Sequence, residues 1–224
     1  MTKIPEKIIS FTGSKLMSIY TQELYFLCHQ IETKSISLFS EFPITSNEVY
    51  QSTKIEGLDL IYSILSFASK VKEMTSPGKS NFNKDRATYI NNILNGLNLS
   101  ELLNKSVRNT VEHFSEYLDK ANKLHTLFNS SHRYSVAFNL IISNWTPLKQ
   151  NYFPFQLYNT PLLPLPLYPV RIYISSEKRF YNMDKSIDLA TLCNDAISVK
   201  NHMIAQNLFE EVAPEDWVSG LLVC

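Results

Sequence analysis

Arg108, Asn109 and His113 place a guanidinium, an amide and an imidazole in one short stretch of chain. An imidazole exchanges a proton near neutral pH, and a guanidinium grips a phosphodiester two-pronged and stabilises added negative charge. An amide can orient the imidazole or a ribose hydroxyl. Metal-free scission of RNA by the neighbouring 2′-hydroxyl needs little more. On a helix turning about 100° per residue, Leu103, Val111, Phe114, Leu118 and Ala121 fall within roughly 40° of Val107. Arg108 lies about 100° to one side of that stripe, and Asn109, His113 and Glu116 cluster on the far face. Asn109 and His113 form an i, i+4 pair able to hydrogen-bond, with Tyr117 next in the row. The competing reading is a solvated face on which Arg108 and Glu112 form an i, i+4 ion pair.

The segment Arg108-Asn-Thr-Val-Glu-His113-Phe-Ser-Glu116 resembles the Arg-Asn-x-x-x-His signature of HEPN domains, in the variant where the histidine precedes Phe-Asp-Glu. Ser115 stands where that variant usually carries Asp. The resemblance implies an up-and-down helical bundle and a metal-independent endoribonuclease of a toxin, antiphage or RNA-processing system. It also implies a homodimer pairing two motifs into one site, with an antitoxin or defence-system protein as a further partner. Under it His113 is the general acid/base, Arg108 binds the phosphate, Asn109 orients them, and Glu112, Glu116 and Tyr117 are secondary.

The remaining residues predict the elements that must hold this helix. Apolar positions at three- and four-residue steps give a first helix from Ser14 to Phe39 and a second, capped by Ser46, to about Met74. A polar loop at 79–84 leads to a shorter third helix ending near Gly96, and a fourth runs from Ser100 to about Phe128. Residues 129–145 contain an apolar run, Val136 to Trp145, readable as strand or helix. Residues 147–169 carry six prolines, as in Phe153-Pro154-Phe155, and predict an irregular extended connection. Arg171–Ile174 and Arg179–Tyr181 alternate with period two and predict a small β-hairpin. Asp184 or Ser186 then caps a last helix, and 211–224 reads as a tail. The expected fold is mainly α: one domain over 1–224, with a bundle at about 14–145, the proline-rich connection at 147–169, and the hairpin and C-terminal helix at 170–210.

Composition narrows the function classes. Lys plus Arg equals Asp plus Glu at 21 each, so no global field draws a polyanion or an anionic membrane. RNA would need a local basic site. Five scattered glycines assemble neither a P-loop nor a dinucleotide fingerprint. Cys28, Cys193 and Cys224 form no CxxC pair, and His29, His125, His132 and His202 lack metal-ligand spacing, so neither metal nor cofactor is expected. No signal peptide or span of about 18 apolar residues is read, which predicts a cytoplasmic protein off the membrane. The rings of Tyr20, Tyr25, Phe26, Tyr62 and Phe67 read as packing rather than base-stacking platforms. A second function class stays open beside RNA cleavage: a non-catalytic helical module that dimerises or binds a protein.

Overall fold

The structure is a computed structural model that describes residues 15–43, 51–52, 55–127, 133–148 and 156–208. The Ser46 cap, the Phe153–Phe155 run, His132, Cys224 and the tail at 211–224 lie outside the described residues.

Four long helices follow the apolar periodicity. They are α1 (Lys15–Glu41), α2 (Ile55–Met74), α3 (Asn81–Ile93) and α6 (Leu189–Ala205), with α4 (Ser106–Glu112) and α5 (Phe114–Leu127) between the third and last. On α1 the buried positions Leu24, Leu27, Cys28, Ile31, Ser35 and Leu38 step by three and four, as a helix with one core-facing stripe must. They pack against Leu58, Ile61, Ile64, Leu65, Ala68 and Val71 of α2 and Leu192, Ala196, Val199 and Met203 of α6 in the main core. The third helix starts inside the expected polar loop, because Ser80 accepts the Asn83 N–H and caps it. The last begins later than read, since Asp188 rather than Asp184 or Ser186 takes the cap and accepts the Thr191 N–H. No helix among the described residues is long and apolar enough to cross a membrane.

The expected mainly α bundle is overturned by a seven-stranded mixed sheet: β1 (Gln51–Ser52), β2 (Ser135–Ile142), β3 (Thr146–Pro147), β4 (Tyr158–Asn159), β5 (Leu167–Ile174), β6 (Arg179–Asn182) and β7 (Lys185–Asp188). The predicted hairpin exists as β5 and β6, yet it is only part of this sheet, with β5 also paired to β2 and β6 to β7. At its centre β2 and β5 run parallel from Ser135–Leu167 to Ile142–Ile174. The proline-rich segment is the crossover such a parallel pair requires, and it carries β3 and β4 itself. Pro169 is tolerated inside β5 because its carbonyl, which accepts the Met183 N–H, points away from β2 into the gap between β4 and β6. Its missing N–H lies on that same side, where no ladder bond is lost.

The sheet is sandwiched unevenly. Ala137, Ile142, Leu167, Ile172, Ile174 and Trp145 form a core on one face, whereas Ile141, Tyr173, Phe180 and Ile187 join the helices on the other. A third cluster holds Tyr168, Val170 and Met183 against Ala121, with Phe114, Tyr117 and Leu118 of α5 packed on it. Parity therefore reverses partway along both central strands. On β5, Tyr168 and Val170 face the helices, but so does Tyr173, which regular alternation would turn away. The reversal falls at Arg171 (φ 60°) and at Asn139 (φ 53°), which stand opposite each other between the pairs Phe138–Val170 and Leu140–Ile172.

Candidate functional site

The fourth helix of the sequence reading is two helices. Its ladder is interrupted at His113 (φ −107°, ψ 40°), where α4 ends and α5 begins. The single apolar stripe is divided accordingly. Leu103, Val107 and Val111 pack on the main core, and Phe114, Leu118 and Ala121 on the α5 cluster. The break lets each half meet a different part of the sheet, which one straight helix could not do.

Arg108 departs most from expectation. Instead of flanking a wet face it is only 2% exposed, enclosed where α4 packs against α2, β6 and β7. Its Nε donates to the Asn104 carbonyl at 2.7 Å, and Nη2 donates to the same oxygen. Nη1 is buried with no hydrogen-bond partner among the described residues. The alternative Arg108–Glu112 ion pair is not formed either, for Glu112 Oε1 instead accepts the Ser69 hydroxyl at 3.3 Å. Burial pushes the Arg108 guanidinium down to about 10, with Glu112 opposing the shift, so the group is still a cation at neutral pH.

A chain of contacts fixes that arginine. Asp195 on α6 is buried and accepts the Glu101 and Leu102 N–H groups at 2.9 and 3.0 Å, pinning the turn before α4. The next residues deliver Asn104, whose Oδ1 accepts the Ser106 N–H at the start of α4 and whose carbonyl holds Arg108. On the far side, Thr110 is buried and its hydroxyl accepts from Asn182 Nδ2 at 2.9 Å, tying α4 to β6.

The other predicted residues scatter around α4 and the start of α5. Asn109 and His113 are exposed, and no side-chain hydrogen bond joins them among the described residues. The His113 side chain is 57% exposed, with Nδ1 3.6 Å from Glu116 Oε1. Tyr117 is partly buried on the α5 cluster, with the Lys120 ammonium 5.0 Å above its ring.

A cleft of about 330 Å³ opens over Arg108 between α2 and α4, a size that accommodates a small ligand. Lys70, Ser66, Ser69, Glu73 and Tyr62 line it from α2, with Val111 and Glu112 opposite. The sequence reading took Tyr62 for packing and missed the other α2 residues, although Tyr62, Ser66, Ser69 and Glu73 recur at steps of four, three and four. That is a polar stripe beside an apolar one. It also missed Arg171, whose guanidinium lies 3.7 Å from the Phe114 ring centroid and 6.0 Å from that of Tyr62. The left-handed backbone at Arg171 puts it on the same face as Val170, toward the helices. Among the described residues no three His, Cys, Asp or Glu side chains gather to hold a metal ion. No protein-family model, curated protein or solved structure matches the chain.

Proposed function

We propose that the chain is a metal-independent endoribonuclease that holds a phosphodiester at the α2–α4 cleft through Arg108 and moves the proton through His113. The observation that carries this reading is the guanidinium of Arg108 on the cleft wall with Nη1 lacking a partner among the described residues. A buried cation with no carboxylate in direct contact among the described residues, Glu112 acting on it only through its field, is costly, and an anionic ligand is a complement to it. In the reaction, the ribose 2′-hydroxyl gives its proton to a neutral imidazole and its oxygen attacks the adjacent phosphorus. The phosphorus–5′-oxygen bond breaks, the departing oxygen takes up a proton, and a 2′,3′-cyclic phosphate remains. Arg108 stabilises the charge that gathers on the non-bridging oxygens. His113 does not itself line the cleft; it is exposed with Glu116 beside Nδ1, so the reading requires an RNA chain that extends past the cleft across α4 to meet it. Glu112 lines the cleft while Asn109 is exposed on α4 outside its lining, and pairing of two copies would double the available imidazoles.

The test is incubation of the purified chain with single-stranded and structured RNA in EDTA, with product ends mapped. Expected are 2′,3′-cyclic phosphate termini from the wild type and their loss in His113→Ala and Arg108→Ala. Cleavage absent with every RNA, or unaltered in His113→Ala, overturns the reading.

One observation favours the second class, a module that binds another copy of itself. β1 pairs only with Ile141 and Ile142, which leaves the Ser135–Leu140 edge of β2 uncovered among the described residues. Val136 and Phe138 are exposed there, Phe138 by 65%, beside a groove of about 360 Å³. An open strand edge with apolar side chains is a template for strand pairing. Sedimentation of wild type and Phe138→Lys distinguishes this: a dimer lost in the variant supports it, and a monomer at all concentrations refutes it.

A further inference from the structure

Among the described residues, the buried polar atoms without a hydrogen-bond partner include Arg108 Nη1 on α4, Tyr62 Oη on α2 and Arg171 Nε on β5. Tyr62 links the other two, because it lines the cleft with Arg108 and has the Arg171 guanidinium 6.0 Å from its ring centroid. Buried hydroxyl and guanidinium groups are almost always satisfied, so each exception calls for a reason, and three together call for one shared reason. Neither arginine forms an ion pair with any carboxylate among the described residues. Glu73 and Glu112 line the cleft too: Glu112 accepts Ser69 and supports the Arg108 charge only through its field, and Asp59 acts on Tyr62 through its field.

Arg171 is not drawn inward by the regular pleat. Its left-handed backbone, matched at Asn139 on the neighbouring strand, places it on the helix-facing side directly after Val170. A branched or long residue adopts this conformation only at an energetic cost, and such departures gather where a ligand is held. The ring of Phe114 then supports the guanidinium plane at 3.7 Å and leaves its edge N–H groups for another acceptor.

We infer that Tyr62, Arg108 and Arg171 form a built anion-binding site for a phosphate group, in which one hydroxyl and two guanidinium groups donate to its oxygens. Arg108, whose Nε and Nη2 are held by the Asn104 carbonyl, offers Nη1, and Arg171 offers Nε; guanidinium donors of this kind are a recurring solution for phosphate, and the hydroxyl adds a neutral donor that rejects no particular oxygen. That the phosphate belongs to an RNA chain rests on the ribonuclease reading; the anion site itself does not. Tyr62 and Arg171 bind the anion and take no part in proton transfer.

Binding of inorganic phosphate, of a nucleoside 5′-monophosphate and of an uncleavable 2′-O-methyl RNA is measured by calorimetry at fixed ionic strength. The wild type, Tyr62→Phe, Arg171→Gln and His113→Ala are compared. Tyr62→Phe should weaken phosphate binding about fivefold, the loss of one hydrogen bond, and Arg171→Gln at least tenfold. His113→Ala should bind as the wild type does. No phosphate binding by the wild type, or equal binding by Tyr62→Phe and Arg171→Gln, overturns the site. If Arg171→Gln loses its circular-dichroism spectrum, Tyr62→Phe alone decides by the same criterion. Binding lost in these variants without any RNA scission keeps the site and removes the nuclease. Scission that depends on His113 but ignores Tyr62 and Arg171 does the reverse. Phosphate and monophosphate binding as tightly as the RNA would mark a small phosphate ester, rather than a chain, as the ligand.

Discussion

Asn139 and Arg171 face each other across two parallel strands, and both hold a left-handed backbone. The coincidence keeps the ladder in register, because a reversal in one strand alone would set its side chains against the wrong face of its neighbour. Asn tolerates this conformation better than most residues, and a β-branched residue tolerates it worst. Asn139→Val should therefore lower stability by about 1–2 kcal/mol, whereas Asn139→Gly should stay within about 1 kcal/mol of the wild type. Urea unfolding of the two variants checks this, and equal losses would contradict it.

Asp195→Ala strips two buried N–H groups of their shared acceptor. A loss of about 2–3 kcal/mol is expected. Because that turn delivers Asn104 to Arg108, RNA scission should fall further than the lost folded population explains. Thermal melts beside cleavage rates at a temperature where the variant is folded separate the two effects.

Arg108 presents the opposite balance. Its enclosed charge has no carboxylate in direct contact among the described residues, so replacing it with an apolar side chain of similar length removes an unfavourable term along with two hydrogen bonds. Arg108→Met should remain within about 1 kcal/mol of the wild type in urea while cleavage drops by about 10²–10³-fold. Arg108→Lys should not restore activity, since an ammonium cannot serve the Asn104 carbonyl and a phosphate in fixed directions at once. Full activity in the lysine variant would show that charge alone suffices.

His125 lies against Tyr134 and Tyr168, and burial lowers its imidazole from the ordinary 6.5. His29 is lowered too, first by burial and then by Lys200. In both cases the unfolded chain binds the proton more tightly than the folded one. Their contribution is thus complete above about pH 6.5 and is lost as pH falls through the depressed folded values. The urea midpoint should decline from pH 7 toward pH 5, with a shallower decline in His125→Gln. An unchanged slope in that variant would assign the effect elsewhere.

The helices were legible because their cause is local. Leu24, Leu27, Ile31 and Leu38 repeat at the helical period, and the packed stripe is the one their spacing describes. The break at His113 was hidden, since Val111, Phe114 and Leu118 keep the period across it. Only the division of those residues between two clusters reveals it. The sheet was masked by proline: Pro169 argues against a central strand until its missing donor is seen to face a gap. Arg108 stood about 100° from the apolar stripe, a flank whose burial depends on whether another element covers it. α2 and β6 do so, from distant parts of the chain. The α2 polar stripe could have been read from sequence, but its meeting with Arg108 could not.

The carboxylate of Asp195 closes on N–H groups 94 and 93 residues earlier. During synthesis, the turn that orients Arg108 therefore stays without its anchor until α6 has emerged and docked. Contacts of such separation form late because the intervening chain must first be brought together. The order of assembly thus leaves Arg108 without its fixed setting in a half-made chain, so that the proposed phosphate contact would have to wait until α6 has docked.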